Sequence, residues 1–195
     1  DIRIHKVLHQ EQVHDAIRRG IRTASGDEWI SIGPLKLFAD GALGSHTCHM
    51  SEAWPGTQDH GMAVMEPEEL EHWIHRAASA GIAAAVHAIG DQAATEALDA
   101  IAANQAISRA FGLRHRIEHA QYVKRTDVPR FRELEVTASL QPMHCTTDIP
   151  LNGFLEDRDL VAYGWNSLRR AGAELVFGSD APVEDPNPFH GIHAA

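Results

Sequence analysis

Short apolar runs and stretches of helical periodicity alternate along most of this chain. Apolar positions over 10–19 recur at helical spacing, and Ile30-Ser31-Ile32-Gly33-Pro34-Leu35-Lys36-Leu37-Phe38 reads as a strand with a Gly-Pro interruption, ending at Asp40-Gly41. From Glu66-Pro67-Glu68-Glu69 a helix is predicted to about Ala80: an early proline and acidic residues mark its first turn, and Gly81 stops it. Ala83-Ala84-Ala85-Val86-His87 follows as a strand, and an alanine-rich helix runs from Gly90-Asp91 to about Asn104. Arg116-Ile117-Glu118-His119 is the next strand, then a helix over 126–134 with Thr126 as its cap, then a strand over 136–140. A helix over 165–171 ended by Gly172 and a strand over 174–177 complete the pattern, and the chain is expected to begin within a helix.

Five strands separated by helices predict an α/β fold with a parallel sheet of right-handed βαβ units. Both a doubly wound sheet and a barrel satisfy that alternation. Neither nucleotide fingerprint, Gly-x-Gly-x-x-Gly after a strand or Gly-x-x-x-x-Gly-Lys-Ser/Thr, is present to support the first. His87, His119 and Asp180 each stand at the end of a predicted strand where the next loop begins, and chemistry spread over several strand ends is the mark of a (β/α)8 barrel. Residues 41–65 form the longest irregular stretch, and loops of that length usually carry function.

Composition narrows the partners. The 195 residues are 44% hydrophobic and 23% charged, as in an ordinary soluble domain. With 27 acidic against 17 basic residues and a net charge of −10, no nucleic-acid partner is expected, because phosphate binding needs clustered Lys and Arg. No apolar stretch approaches the roughly 18 residues of a membrane span, and the first six residues lack the apolar core of a signal peptide, so a cytoplasmic protein without a membrane partner is expected. Cys48 and Cys145 read as free thiols.

Four segments occur in order with plausible spacing: Lys36-Leu37-Phe38-Ala39-Asp40-Gly41-Ala42-Leu43-Gly44-Ser45, Val86-His87-Ala88-Ile89-Gly90-Asp91, Arg116-Ile117-Glu118-His119-Ala120-Gln121 and Phe177-Gly178-Ser179-Asp180-Ala181-Pro182-Val183. Together they resemble the amidohydrolase superfamily, and more closely its family 3 branch of N-substituted formamide deformylases and YtcJ-like metal-dependent hydrolases. The resemblance runs from about residue 28 to the C-terminus. It implies a metal-dependent (β/α)8 barrel that hydrolyses C–N bonds, usually non-peptide amides, of small molecules. By that resemblance Lys36 matches a lysine that is carboxylated to bridge two metals in many members, His87 and His119 match metal ligands, and Asp180 matches the aspartate of the last barrel strand. One or two divalent ions, zinc foremost, are the implied cofactor: imidazole and carboxylate suit zinc, which lowers the pKa of water to near neutrality. Asp180 would take a proton from the attacking water and deliver it to the leaving nitrogen.

Each residue also has a plainer reading. Lys36 could simply hold a loop carboxylate, and Asp91 is expected to cap the alanine-rich helix rather than bind metal. Glu118, adjacent to His119, is expected on the other face of the strand in a structural ion pair. His46-Thr47-Cys48-His49 reads as substrate-facing loop, and His72 and His75 as one helix face at the surface or against the barrel wall. His144, just past a strand, is a candidate for polarising the substrate carbonyl or lining the pocket.

The superfamily opens with a His-x-His pair that supplies two ligands, and no His-x-His occurs here. The expectation is therefore one partial barrel domain over 1–195, about barrel strands 4 to 8, lacking the N-terminal strands. Its open edges call for a second copy or an N-terminal segment to complete it, and by itself it is expected to be inactive. The competing expectation is a barrel that binds a small ligand or serves a structural role without catalysis.

Overall fold

The computed structural model describes residues 2–153 and 158–195. Six parallel strands, in the order β1-β2-β3-β4-β6-β8, curl into a half-barrel with helices on the outside. They are β1 (Ile4–Leu8), β2 (Ile30–Phe38), β3 (Ala84–Ala88), β4 (Arg116–His119), β6 (Thr137–Leu140) and β8 (Glu174–Phe177). The expected fold class holds, but the chain opens with β1 rather than within a helix, so the sheet has six strands instead of five. β1 pairs in parallel with β2 and leaves three of its five residues exposed, which blurs the apolar run by which a buried strand is recognised. A separate antiparallel pair, β5 (Tyr122–Lys124) with β7 (Leu160–Ala162), stands beyond the carboxyl end of the sheet.

The helices follow local rules. α1 (Gln10–Arg18) presents Val13 and Ala16 to the core. In α2 (Pro67–Ala78), Pro67 opens the first turn, and Gly81, at φ +78°, ends the segment in the left-handed conformation that glycine adopts without a Cβ clash. Ala93, Ala94 and Ala97 of α3 (Asp91–Ala103) are fully buried, and their small side chains let the helix lie close to the sheet and to α2. The cap of α3 is Gly90, not Asp91, and α5 (Val128–Glu133) starts from Asp127 rather than Thr126. A short α4 (Gln105–Ala110) follows α3. Beyond β6 come α6 (Pro142–Thr147), α7 (Ile149–Asn152), α8 (Trp165–Arg170) and α9 (Pro188–Ala194). Among the described residues no helix is long and apolar enough to cross a membrane.

Strand alternation sorts the two faces of the sheet. Leu35, Leu37, Ala84, Val86, Ala88, Ile117, Ala138 and Leu140 belong to the cluster sealed beneath the helices. Full burial of each Val, Leu or Ile contributes roughly 1.5–3 kcal/mol. The opposite parity points into the barrel, and the register aligns it in two layers. Lys36, Ala85, Arg116, Thr137 and Glu174 form the lower one; Phe38, His87, Glu118, Ser139 and Val176 form the upper one, nearer the carboxyl ends of the strands.

Candidate functional site

Glu118 therefore lies inside the barrel beside His87, not on the far face of its strand. The expected ion pair is present, with Arg116 Nε 2.5 Å from Glu118 Oε1, two residues earlier on the same side of β4. His119 is the residue that departs from alternation. Its parity directs it towards the helices, but it adopts φ +72° and Ala120 follows at φ +44°. This left-handed turn brings the His119 ring to 4.5 Å from that of His87. Left-handed backbone at a residue with a side chain costs about 1–3 kcal/mol and concentrates at functional sites. Asp180, past the end of β8, adopts φ +56° as well.

Lys36, His87, His119, His144 and Asp180 line one cavity of about 410 Å³ at the carboxyl ends of the strands, within the size range of small-molecule sites. Phe38, Leu43, Ile89 and Val183 give it apolar walls. The Lys36 ammonium lies 4.8 Å above the Phe38 ring. Burial holds its pKa below the ordinary range, with the charges of Glu118 and Asp180 pulling the other way. Burial, together with the neighbouring His87, Lys36 and His144, pushes the His119 imidazole down to about 2, and burial lowers His87 too. Both imidazoles are thus neutral at physiological pH.

His87 donates Nε2–H to the Gly41 carbonyl at 2.8 Å, because a carbonyl can only accept, so its Nδ1 carries the lone pair. His119 is 8% exposed, and its Nδ1 has no hydrogen-bond partner. The His144 ring stacks on that of His119 at 5.7 Å, and its buried Nε2 is equally unpartnered. A divalent cation suits this donor set in kind: neutral imidazoles, an orphaned buried ring nitrogen, a desolvated amine and a carboxylate on one cavity. Among the described residues, however, no three His, Cys, Asp or Glu side chains converge into a cluster that could hold an ion alone.

The remaining expectations separate. In the 41–65 loop, Ala42, Leu43 and Gly44 face the cavity, whereas the 46–49 run does not line it. Cys48 is buried with Leu43, Met50, Trp54, Ile89 and Tyr122, His46 stacks on Trp54 at 4.7 Å, and His49 Nδ1 stands 3.4 Å from Glu96. Instead of capping its helix, Asp91 accepts from the Ser51 amide at 3.1 Å and from the Ser51 hydroxyl, fastening the loop to α3. His75 bonds Asn104 at 2.9 Å, and His72 lies at the surface.

Two groups of residues escape a reading of the sequence. Asp40, two residues past β2, accepts backbone amides from residues 9, 49 and 50 positions onward. Gln121 and Asp148 line the cavity and are hydrogen-bonded to each other and to Tyr163 behind them, the Tyr163 hydroxyl 2.5 Å from Asp148. Asp40 and Gln121 fall within the segments that carry the resemblance, but no role is legible there, and Asp148 and Tyr163 have no signal at all.

Comparison with known proteins places this geometry. The family model described as "Amidohydrolase family" matches residues 1–195. The chain is 33% identical over 200 residues to the putative amidohydrolase YtcJ of Bacillus subtilis (strain 168), covering 99% of this chain and 36% of that protein. It is 36% identical over 181 residues to Protein LONG AFTER FAR-RED 3 of Arabidopsis thaliana, covering 86% of this chain and 30% of that one. The chain thus spans about a third of the length of these relatives. An uncharacterized metal-dependent hydrolase from Pyrococcus horikoshii OT3 superposes on all of it with a TM-score of 0.84 at 32% identity, 39% of that chain being covered.

Proposed function

We propose, from the premise that this chain belongs to the amidohydrolase family, that it carries part of the active site of a metal-dependent hydrolase acting on C–N bonds of small amide substrates, zinc being the ion its donors suit. The observation that carries this reading is the meeting of two neutral imidazoles, a desolvated lysine and a carboxylate on one cavity at the strand ends. Lys36, His87, His119 and Asp180 would hold the cation, whose chemistry when bound is to polarise a carbonyl and acidify water. The lowered pKa of Lys36 also favours the neutral amine that carboxylation requires. Asp180 accepts the proton of the attacking water and passes it to the departing nitrogen. His144, with its unpartnered Nε2 on the same wall, holds the substrate carbonyl oxygen. Phe38, Leu43, Ile89 and Val183 exclude water around the acyl group.

The described residues supply no complete ligand cluster, so on this reading residues beyond the described ones complete it. β1 and β8 are the edges at which additional strands, from a longer polypeptide or a second copy, extend this domain. Supplied with zinc or manganese, the barrel completed in this way is expected to hydrolyse members of a panel of N-acyl and N-formyl amines, and this chain alone to turn over little. His119→Ala should lose bound metal and activity together, by more than the roughly 10- to 100-fold that losing a partner behind a ligand costs. The incomplete cluster also favours a second reading, a barrel that binds a small ligand without cleaving it. Stoichiometric metal and tight binding of these amides without turnover in the completed barrel would decide for that one.

A further inference from the structure

Behind His87 lies a carboxylate that the proposed chemistry leaves unused. The Asp40 side chain is fully buried. Its Oδ2 accepts from the amides of His49 at 2.9 Å and Gly90 at 2.7 Å, and its Oδ1 accepts from Ile89 at 3.0 Å. Those amides belong to two separate segments, the 41–65 loop and the turn between β3 and α3. Oδ1 also stands 3.5 Å from His87 Nε2, the atom that donates to Gly41. The two segments meet closely: a Cβ on Gly90 would lie 2.0 Å from the His49 carbonyl oxygen.

We propose that Asp40 is the positioning residue of this site. It keeps His87 as the Nε2–H tautomer, with Nδ1 bare, and through the same two oxygens seats the loop that forms one wall of the cavity. The consequence for metal affinity rests on the reading of His87 as a ligand; the tautomer and the loop do not.

Burial pushes the Asp40 pKa up to about 7, while the amides of Gly90, Ile89 and His49 pull it down and favour the carboxylate. Three backbone N–H donate to its two oxygens, and the imidazole N–H, itself bonded to Gly41, stands beside Oδ1. An asparagine turned to keep its oxygen against His49 and Gly90 places an NH2 against Ile89 and His87, donor facing donor. Turned the other way it opposes the two shorter bonds. A buried donor left without an acceptor costs more than its bond contributed, so the loop and the ring should respond together. Asp91 offers a built-in contrast, because it holds the same loop through Ser51, whereas it is Asp40 whose Oδ1 stands 3.5 Å from His87 Nε2.

Three measurements on the whole chain test this. Long-range ¹H–¹⁵N spectra of the unsubstituted protein should show His87 as a single Nε2–H tautomer. An Nδ1–H tautomer would overturn the proposal without need of any variant, and so stands even if Asp40→Asn fails to fold. In Asp40→Asn the single tautomer should be lost, and proteolysis within 41–65 should accelerate by about 10-fold or more. Asp91→Asn should accelerate the same cleavage and leave the His87 tautomer unchanged. An unaltered tautomer in Asp40→Asn, or an equal disturbance of His87 in Asp91→Asn, overturns the assignment. Zinc titration of the completed barrel should show affinity weakened roughly 10- to 100-fold in Asp40→Asn, as for other partners behind a ligand. If the unsubstituted completed barrel takes up no zinc, the metal reading fails, while the tautomer and the cleavage rates still decide this one.

Discussion

The middle of the sheet and its β8 edge carry the same kind of residue on very different foundations. β3 and β4 have a strand on each side, their helix-facing residues Val86 and Ile117 are fully buried, and His87 and His119 sit at their carboxyl ends. β8 has one neighbour, exposes three of its four residues and leads to Asp180, followed by α9, which buries none of its side chains. The imidazole half of the site is therefore fixed by the core of this chain. The carboxylate half depends on whatever lies against the edge.

Substitutions can break that contrast in measurable ways. The largest effect is expected in the middle: Ile117→Ala should lower the free energy of unfolding by about 2–5 kcal/mol in chemical denaturation, since the site is closed on every side and can collapse only in part. A cost below about 1 kcal/mol would mean that the core is looser than its burial indicates.

Next comes a pH effect at His115, which lies just before β4. Its Nδ1 accepts the Ala84 amide at 2.9 Å, its Nε2 meets Ser108 Oγ at 2.7 Å, and burial pushes its pKa down to about 4 from an ordinary 6.5. Between those values the unfolded chain binds a proton that the folded chain does not. The contribution of this residue is therefore complete above pH 6.5 and is lost as the pH falls towards 4, at up to about 1.4 kcal/mol per pH unit. Stability measured against pH should lose that increment of slope in His115→Gln, whatever its absolute stability. An identical slope would show that residue 115 titrates alike in both states.

The smallest effect belongs to the edge. Ile192→Ser on α9, where the side chain is 70% exposed, should change stability by no more than about 0.5 kcal/mol. A loss of 2 kcal/mol would show that the edge contributes to the fold as the middle does, and would erase the contrast.

The same physical difference decides how much was legible in the sequence. β3 and β8 announce themselves by short apolar runs, and β2, β4 and β6 by apolar positions alternating with polar ones between helices. β1 does not, being an edge strand with a polar, largely exposed sequence, and the three-residue strands β5 and β7 are too short to carry a period. His87, His119, His144, Lys36 and Asp180 could be named from the residues that precede and follow them. Which way they point could not be derived that way. Alternation along β4 assigns His119 and Glu118 to opposite faces, Glu118 inward, and the left-handed backbone at His119 brings that ring towards the barrel interior as well. Asp40 stays silent because its partners are backbone amides, which leave no trace in residue identity.

The sequence by itself determined the alternation of the central strands and helices, the parallel sheet and the residue types gathered at the strand ends, because burial and periodicity are local properties of a chain. Tertiary structure decided which of those residues share a cavity, which rings are left without a partner, and which carboxylate stands behind His87. These depend on register between strands far apart in sequence and on a few backbone angles outside the usual regions, and neither is written in any short stretch of residues.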